Sequence, residues 1–295
     1  MRIEATSVHC LRISLPSEVG DSMLDVNHWD IVATEVITDT NLTGWGYNST
    51  LATGSRALVS VLRDELAPRL IGQDPYLLKK IWKDIYLDNH FTGIYGIAFQ
   101  GIAAIEIALW DLICKDCDRP LWKILGGFNG DRIPCYSTDG GWIGFSEQEL
   151  VENALRIRAE GFFGFKMKVG KPDIREDRSR LAAVRKAVGP GYPVMIDANG
   201  KWDLPTAVSA IAVLQEFEPY WIEEPLHPFD VRSHAALAEK IRPPILVGET
   251  IYDLRMFNDF IVRGGMNIAQ PDVMRLGGIS GWLEASTLAK ANGLP

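Results

Sequence analysis

A TIM-type (β/α)-barrel preceded by a smaller α+β domain is the fold class that three features of this sequence predict. From Ile133 onward, short apolar runs alternate with amphipathic stretches, the pattern of a parallel sheet whose strands are joined by helices. Upstream of that point the order differs, with strand patterns first and helical patterns after. No G-x-G-x-x-G follows the first strand, and six or more units favour a barrel over a doubly wound sheet.

The N-terminal part reads as strands over RIEATSVHCLRISL and DIVATEVITDTNLTGWGY, the second with a turn at Asp39-Thr40-Asn41. Between them LPSEVGDSMLDVNHW is polar and turn-rich, and a mobile loop is expected around residues 16–28. Helical patterns follow at 54–67, 75–87 and 98–114; the last is apolar nearly all round and is expected to be buried between layers. This domain is assigned residues 1–128, ending within GGFNGDR, and the barrel domain residues 129–295.

The barrel strands are IPCYS, FGFKMKV, YPVMID, YWIEE, PILVGE and MNIAQPD, with helices such as SEQELVENALRIRAEG and LPTAVSAIAVLQEF between them. About 165 residues are few for eight units, which typically take about 250. The expectation is therefore a barrel whose last two units lie beyond this sequence.

Composition narrows the function classes. Hydrophobic residues make up 47% and charged residues 23%, as in a globular protein with a sizeable core. A net charge of −8 argues against nucleic-acid and anionic-membrane partners. No apolar run reads as a membrane span and MRIEATSVHC is no signal peptide, so a cytoplasmic protein is expected. The four cysteines read as reduced thiols; Cys114 and Cys117 form a C-x-x-C, but without a second pair or a preceding strand it reads as neither zinc nor redox motif.

Chemistry concentrates at the strand ends. Asp197, Glu223 and Glu249 close three successive strand runs at intervals of 26 and 26 residues. The carboxyl ends of parallel barrel strands converge on one face, where active sites lie. Two carboxylates about 4 Å apart repel by roughly 4 kcal/mol at an effective dielectric near 20, so three such pairs approach about 12 kcal/mol. A divalent cation would offset that, and all-oxygen ligands favour Mg2+, with Mn2+ the alternative. Helix capping or an arginine partner for each acid is the plainer alternative.

Alternation along YWIEEPL lets only one of Glu223 and Glu224 face inward, and the register selects Glu223. Pro225 is expected to keep Glu224 extended, turned toward the helices or a lysine. Lys166 and Lys168 share a strand face beside Asp197; one ammonium can tune the other toward use as a general base, and paired salt bridges are the alternative. Asp272 closes the sixth strand and is placed to orient a histidine on a following strand.

Taken together, AAIEIALWDL and LGG, the K-x-K of Lys166 and Lys168, the D-x-N of Asp197 and Asn199, the E-E-P at Glu223, the G-E at Glu249 and the P-D-x-x-x-x-G-G at Asp272 resemble the enolase superfamily, mandelate racemase subgroup. The resemblance implies Mg2+ held by Asp197, Glu223 and Glu249, Lys168 as base, Lys166 as its electrostatic partner and Asn199 near the substrate. It also implies abstraction of a proton α to a carboxylate through a metal-stabilised enediolate, the chemistry general to that superfamily. Within the subgroup the barrel stretch is most similar to acid-sugar dehydratases, talarate and galactarate enzymes among them. The expected partner is thus a small carboxylate, an acid sugar, and the expected assembly a homo-oligomer. Ser137, Asp139 and Trp142 at the first strand end, with the loop around 16–28, are the candidate specificity residues or else ordinary structural ones. Epimerisation, lactone cycloisomerisation and a non-catalytic metal-binding fragment remain the other readings.

Overall fold

The computed structural model describes residues 1–91, 93–127 and 132–295. Three antiparallel strands, β1 (Ile3–Gly20), β2 (Asp25–Thr38) and β3 (Thr43–Leu51), form a sheet in sequential order. The turn at Asp39–Asn41 joins β2 to β3 as expected, with Asn41 at φ 61°. The expected mobile loop at 16–28 is instead the end of a long hairpin. Pairing of β1 with β2 slips between Ser14 and Val19, where Pro16 has no amide proton to contribute, then resumes to Gly20 opposite Asp25. At its tip the Asp21 carboxylate accepts the amides of Met23 and Leu24, a local bond that closes the turn.

Helix α1 (Ser55–Ser60) runs on through a wider turn, Val61–Leu66, and a tighter one, Ala67–Leu70. It is followed by α2 (Leu78–Asn89), α3 (Ile97–Asp116) and the short α4 (Leu121–Ile124). On length and composition alone α3 qualifies as a membrane span, contrary to the reading that no run does. Its place in the fold is nevertheless the core of this domain: Ile102, Ala104, Ile105, Ala108, Leu109 and Leu112 pack with Val32, Val36, Leu58, Leu62 and Leu66. The expected boundary between residues 128 and 129 lies outside the described residues.

The second sheet is a parallel half-barrel of six strands in sequential order: β4 (Tyr136–Ser137), β5 (Gly164–Lys168), β6 (Val194–Asp197), β7 (Ile222–Glu223), β8 (Ile245–Val247) and β9 (Ile268–Ala269). Between and after them come α5 (Glu147–Ala159), α6 (Ile174–Val188), α7 (Leu204–Leu214), α8 (Val231–Ala238), α9 (Leu254–Arg263) and α10 (Ile279–Ala291). The helix starts are written plainly in the sequence. Ser146 and Glu149 form a capping box on α5, and Asp173, Asp203, Asp230 and Asp253 accept first-turn amides of α6, α7, α8 and α9.

Alternation along the strands separates two cores. Phe165, Met167, Val194, Ile196, Ile222, Ile245 and Val247 pack against the helices. On the concave face Met195, Trp221 and Leu246 form a separate cluster with Tyr136 and Ile268. That cluster is the floor beneath the lysines and acids one step further along each strand.

The two parts meet around the loop after β9. Asn48 of β3 donates to the Met274 carbonyl, and Trp82 of α2 donates to the Gly277 carbonyl. Glu106 of α3, itself buried, accepts the amides of Ile279 and Ser280 at the start of α10, and also the Trp110 indole. Gly278 has φ 108°, and a Cβ there would lie 2.2 Å from the Glu106 carboxylate, so the second glycine of the Gly277-Gly278 pair lets one domain cap a helix of the other.

Candidate active site

Lys166, Asp197 and Glu223 share the concave face. Lys168 and Asp197 are register partners, as are Asp197 and Glu223. The Lys166 ammonium donates to Asp197 Oδ2 at 3.0 Å and to Glu223 Oε1 at 2.6 Å, and the Lys168 ammonium to the same Asp197 oxygen at 2.7 Å. Asp197 and Glu223 are fully buried and the Lys166 side chain is 5% exposed. The ion pairs offered as the alternative for the lysines are therefore real contacts.

Burial alone would discharge Lys166, but Asp197, Glu223 and Glu249 outweigh it and hold the ammonium well above the usual lysine range. Burial likewise opposes an ionised Asp197, and here Lys166 and Lys168 win, keeping the carboxyl below its usual value. Glu223 is the acid left over. Burial first, then the Asp197 charge, push it up to about 7 against the pull of Lys166, since one ammonium cannot neutralise two carboxylates.

Glu249 arrives by a different route. The sheet pairs Glu223 with Leu246, so the equal 26-residue spacing does not translate into equal height on the sheet. Gly248 follows β8 at φ 145°, and a Cβ there would run into the Gln270 backbone; only this turn delivers Glu249 to the site. The Glu249 carboxyl is raised, mainly by burial, and it feels Lys166, Asp197, Lys168 and Asp272. Asp272 thus faces the cluster electrostatically, while its carboxylate accepts the Met274 amide at 2.6 Å.

Asn199 is held at φ 48°, its amide donating to Asp197 Oδ1. Trp142 places its ring centroid 5.9 Å from the Lys168 ammonium. Ser137 accepts the Asp139 amide through its hydroxyl. The Asp139 carboxylate is not brought to the cluster: it is largely exposed and lies 3.8 Å from Arg156 of α5. Glu224 is not extended as Pro225 suggested. It has φ 36°, is buried, and accepts the Thr250 hydroxyl beside Glu249; burial pushes its carboxyl up to about 8.

Gln270, which escaped the sequence reading, donates to Glu223 Oε1 at 3.1 Å, and Ser22, within the 16–28 stretch named for specificity, donates to the Ala198 carbonyl at 2.6 Å. The concave-face alternation of MNIAQ, in which Ile268 and Gln270 share a side, is the signal that would have found Gln270.

Among the described residues no three His, Cys, Asp or Glu side chains converge as a ready-made cation cage, because the lysine ammonium lies between Asp197 and Glu223. The donor set nevertheless fits a hard cation. Glu223 Oε2 is a buried oxygen without a hydrogen-bond partner, beside Asp197 and the partly desolvated Glu249. Oxygen-only donors with surplus negative charge suit Mg2+ or Mn2+.

Comparison with known proteins gives the family. Residues 2–126 match the mandelate racemase / muconate lactonizing enzyme N-terminal domain, and residues 149–295 the enolase C-terminal domain-like family. The chain is 35% identical to L-talarate/galactarate dehydratase of Salmonella typhimurium over 263 residues, which are 89% of this chain and 66% of that protein. It is 33% identical over 296 residues to 3,6-anhydro-alpha-L-galactonate cycloisomerase of Streptomyces coelicolor, covering 99% of this chain and 81% of that one. Among solved structures, L-talarate dehydratase from Polaromonas sp. JS666, complexed with Mg and L-glucarate, superposes with a TM-score of 0.92 at 33% identity, over 99% of this chain and 80% of that one. A racemase from Streptomyces coelicolor with bound magnesium gives a TM-score of 0.96 at 32% identity, over 99% and 82%. With two domain models matched in order and a half-barrel carrying its motifs at the strand ends, the chain belongs to the enolase superfamily, in the mandelate racemase / muconate lactonizing enzyme family.

Proposed function

We propose that this protein removes the proton α to the carboxylate of an acid sugar and expels a β-hydroxyl, as a Mg2+-dependent hydro-lyase. The observation that carries the reading is the convergence of both lysines on buried Asp197, with Lys166 also holding buried Glu223, beside a third acid, Glu249. Asp197, Glu223 and Glu249 would hold the cation, with Mn2+ as the alternative metal. When bound, it supplies positive charge opposite the substrate carboxylate, where negative charge builds as the proton leaves.

This chain's side chains supply the rest. Lys168, whose side chain is less buried than that of Lys166, takes the proton from the substrate carbon. Lys166 keeps a fixed positive charge beneath the site. Asn199 offers a free side-chain oxygen to a sugar hydroxyl, and the departing hydroxyl would leave as water with a proton from the histidine expected on a following strand, which Asp272 would orient. Trp142, beside the Lys168 ammonium, with Ser137 and the exposed Asp139 at the same strand end, is the candidate specificity set. In the same reading the half-barrel belongs to a TIM-type barrel, which the superposition on the Streptomyces coelicolor racemase supports, and the protein is a cytoplasmic homo-oligomer.

A second reaction keeps the same first step. The cycloisomerase and racemase relatives favour ring opening or epimerisation once the α-proton is gone. Product analysis and deuterium incorporation in D2O, over a panel of aldonates and aldarates with Mg2+, test both. A 2-keto product lighter by one water and deuterated at the carbon that lost the hydroxyl supports dehydration, deuterium incorporation without loss of water supports isomerisation, and neither with any acid rejects the reading.

A further inference from the structure

Beneath the lysines lies a buried ion pair for which the proposed chemistry has no use. Arg180 and Asp177 sit one turn apart on α6, with side chains 5% and 0% exposed. Their own contact is 2.9 Å, and every other bond they make goes to backbone at the ends of two strands. Arg180 donates to the Lys168 carbonyl at 3.0 Å and to the Trp142 carbonyl at 3.1 Å. The other Asp177 oxygen accepts the amides of Gly170 and Lys171 at 2.8 Å each.

These four groups lie at the last residue of β5 and in the loops after β4 and β5. Those segments carry Trp142 and Lys168, whose side chains face each other across the mouth of the half-barrel. Val169 keeps one sheet bond, its amide donating to the Asp197 carbonyl at 2.8 Å, and the Lys168 amide reaches the Gly141 carbonyl at 2.7 Å; the Lys168 carbonyl and the amides beyond Val169 need partners from elsewhere. Apolar packing of the same volume often stabilises a fold as well as a buried ion pair does, so stability alone does not account for this one. What an Asp–Arg pair adds is direction, because a guanidinium fork fixes two carbonyls at once and a carboxylate fixes two amides.

We infer that Arg180 and Asp177 are positioning residues that lock the Lys168 backbone to the Trp142 loop and so set where the Lys168 amine meets substrate. The role in turnover rests on Lys168 acting as the base, but the locking of the two loops does not. Lysine at position 180 cannot reproduce the fork, so Arg180→Lys should behave like Arg180→Gln.

Amide hydrogen exchange by mass spectrometry on the wild-type protein, Arg180→Gln, Arg180→Lys and Asp177→Asn reads the lock without any reaction. Faster exchange in both 138–145 and 168–173, with unchanged protection in α8 and α9, is expected. In the same proteins kcat for α-proton exchange should fall roughly 10- to 100-fold, as for a small misplacement of a reacting group. KM and the concentration of Mg2+ giving half-maximal thermal stabilisation should stay within about twofold. Exchange that rises in one segment only, or kcat unchanged in a folded variant with both loops loosened, overturns the proposal. So does a global loss of protection in all three variants, which would make the pair a folding element alone. If wild-type protein exchanges no substrate proton, the proposed function fails and the hydrogen-exchange result still decides the locking.

Discussion

Lys168 donates its ammonium to Asp197 across 2.7 Å from the adjacent strand, in direct register. Two roles that the account keeps apart, base and cation ligand, are therefore in hydrogen-bond contact. Replacing each should have opposite consequences. Lys168→Met is expected to lower α-proton exchange by roughly 10²- to 10⁴-fold, while the rise in Tm on adding Mg2+ survives. Asp197→Asn should abolish the Mg2+-induced rise. Both are read by differential scanning fluorimetry and NMR exchange, and loss of the Mg2+ response in Lys168→Met would count against the division of roles.

Gln270 holds one oxygen of Glu223 at 3.1 Å, opposite the oxygen that has no partner. A partner that orients a ligand typically contributes about 10- to 100-fold to metal affinity. Gln270→Leu should weaken Mg2+ binding by that factor in isothermal titration calorimetry, with secondary structure unchanged. Unaltered affinity would mean that the Lys166 contact alone orients Glu223.

Glu106 caps α10 from the other domain, accepting two first-turn amides. Glu106→Ala strands those donors and leaves a void at the junction, a cost of about 2–3 kcal/mol. The expected drop in Tm is roughly 4–10 °C, with the α10 segment losing hydrogen-exchange protection first. A variant that melts with the wild type would show that α10 is held by its other contacts.

Asp30, buried in β2, accepts Arg12 through both oxygens and the Ser55 hydroxyl, and these bonds hold its carboxyl well below the usual range. A carboxyl with a depressed folded pKa adds stability in full above its unfolded value near 4, and that contribution disappears as pH falls toward the folded value. Because Arg12 is largely exposed the effect is small, roughly 2–4 °C in Tm for Asp30→Asn at neutral pH. The deficit should hold down to about pH 5 and narrow below about pH 4. A deficit that widens in acid would contradict the sign.

Much of this molecule is legible in its sequence because local chemistry and global fold agree. The aspartates ahead of α6 to α9 mark helix starts, and apolar runs between them mark strands. What escaped depends on partners distant in sequence. Residues 16–28 carry turn residues, and only pairing with β2 makes them a hairpin. Glu224 looked extended ahead of a proline until Thr250 and the turn after β8 drew it inward. Asp177 and Arg180, three apart on a charged helix, carry no local signal of their role, because only contact with backbone after β4 and at the end of β5 buries them.

The account stands on three acids from separate strand ends sharing one cation. Crystals grown or soaked with Mn2+ allow that to be seen by anomalous scattering. The expected result is one strong peak about 2.0–2.3 Å from carboxylate oxygens of Asp197, Glu223 and Glu249 together, with the Lys166 ammonium displaced from between the first two. A peak bound elsewhere, or full occupancy that leaves Glu249 untouched, would contradict it.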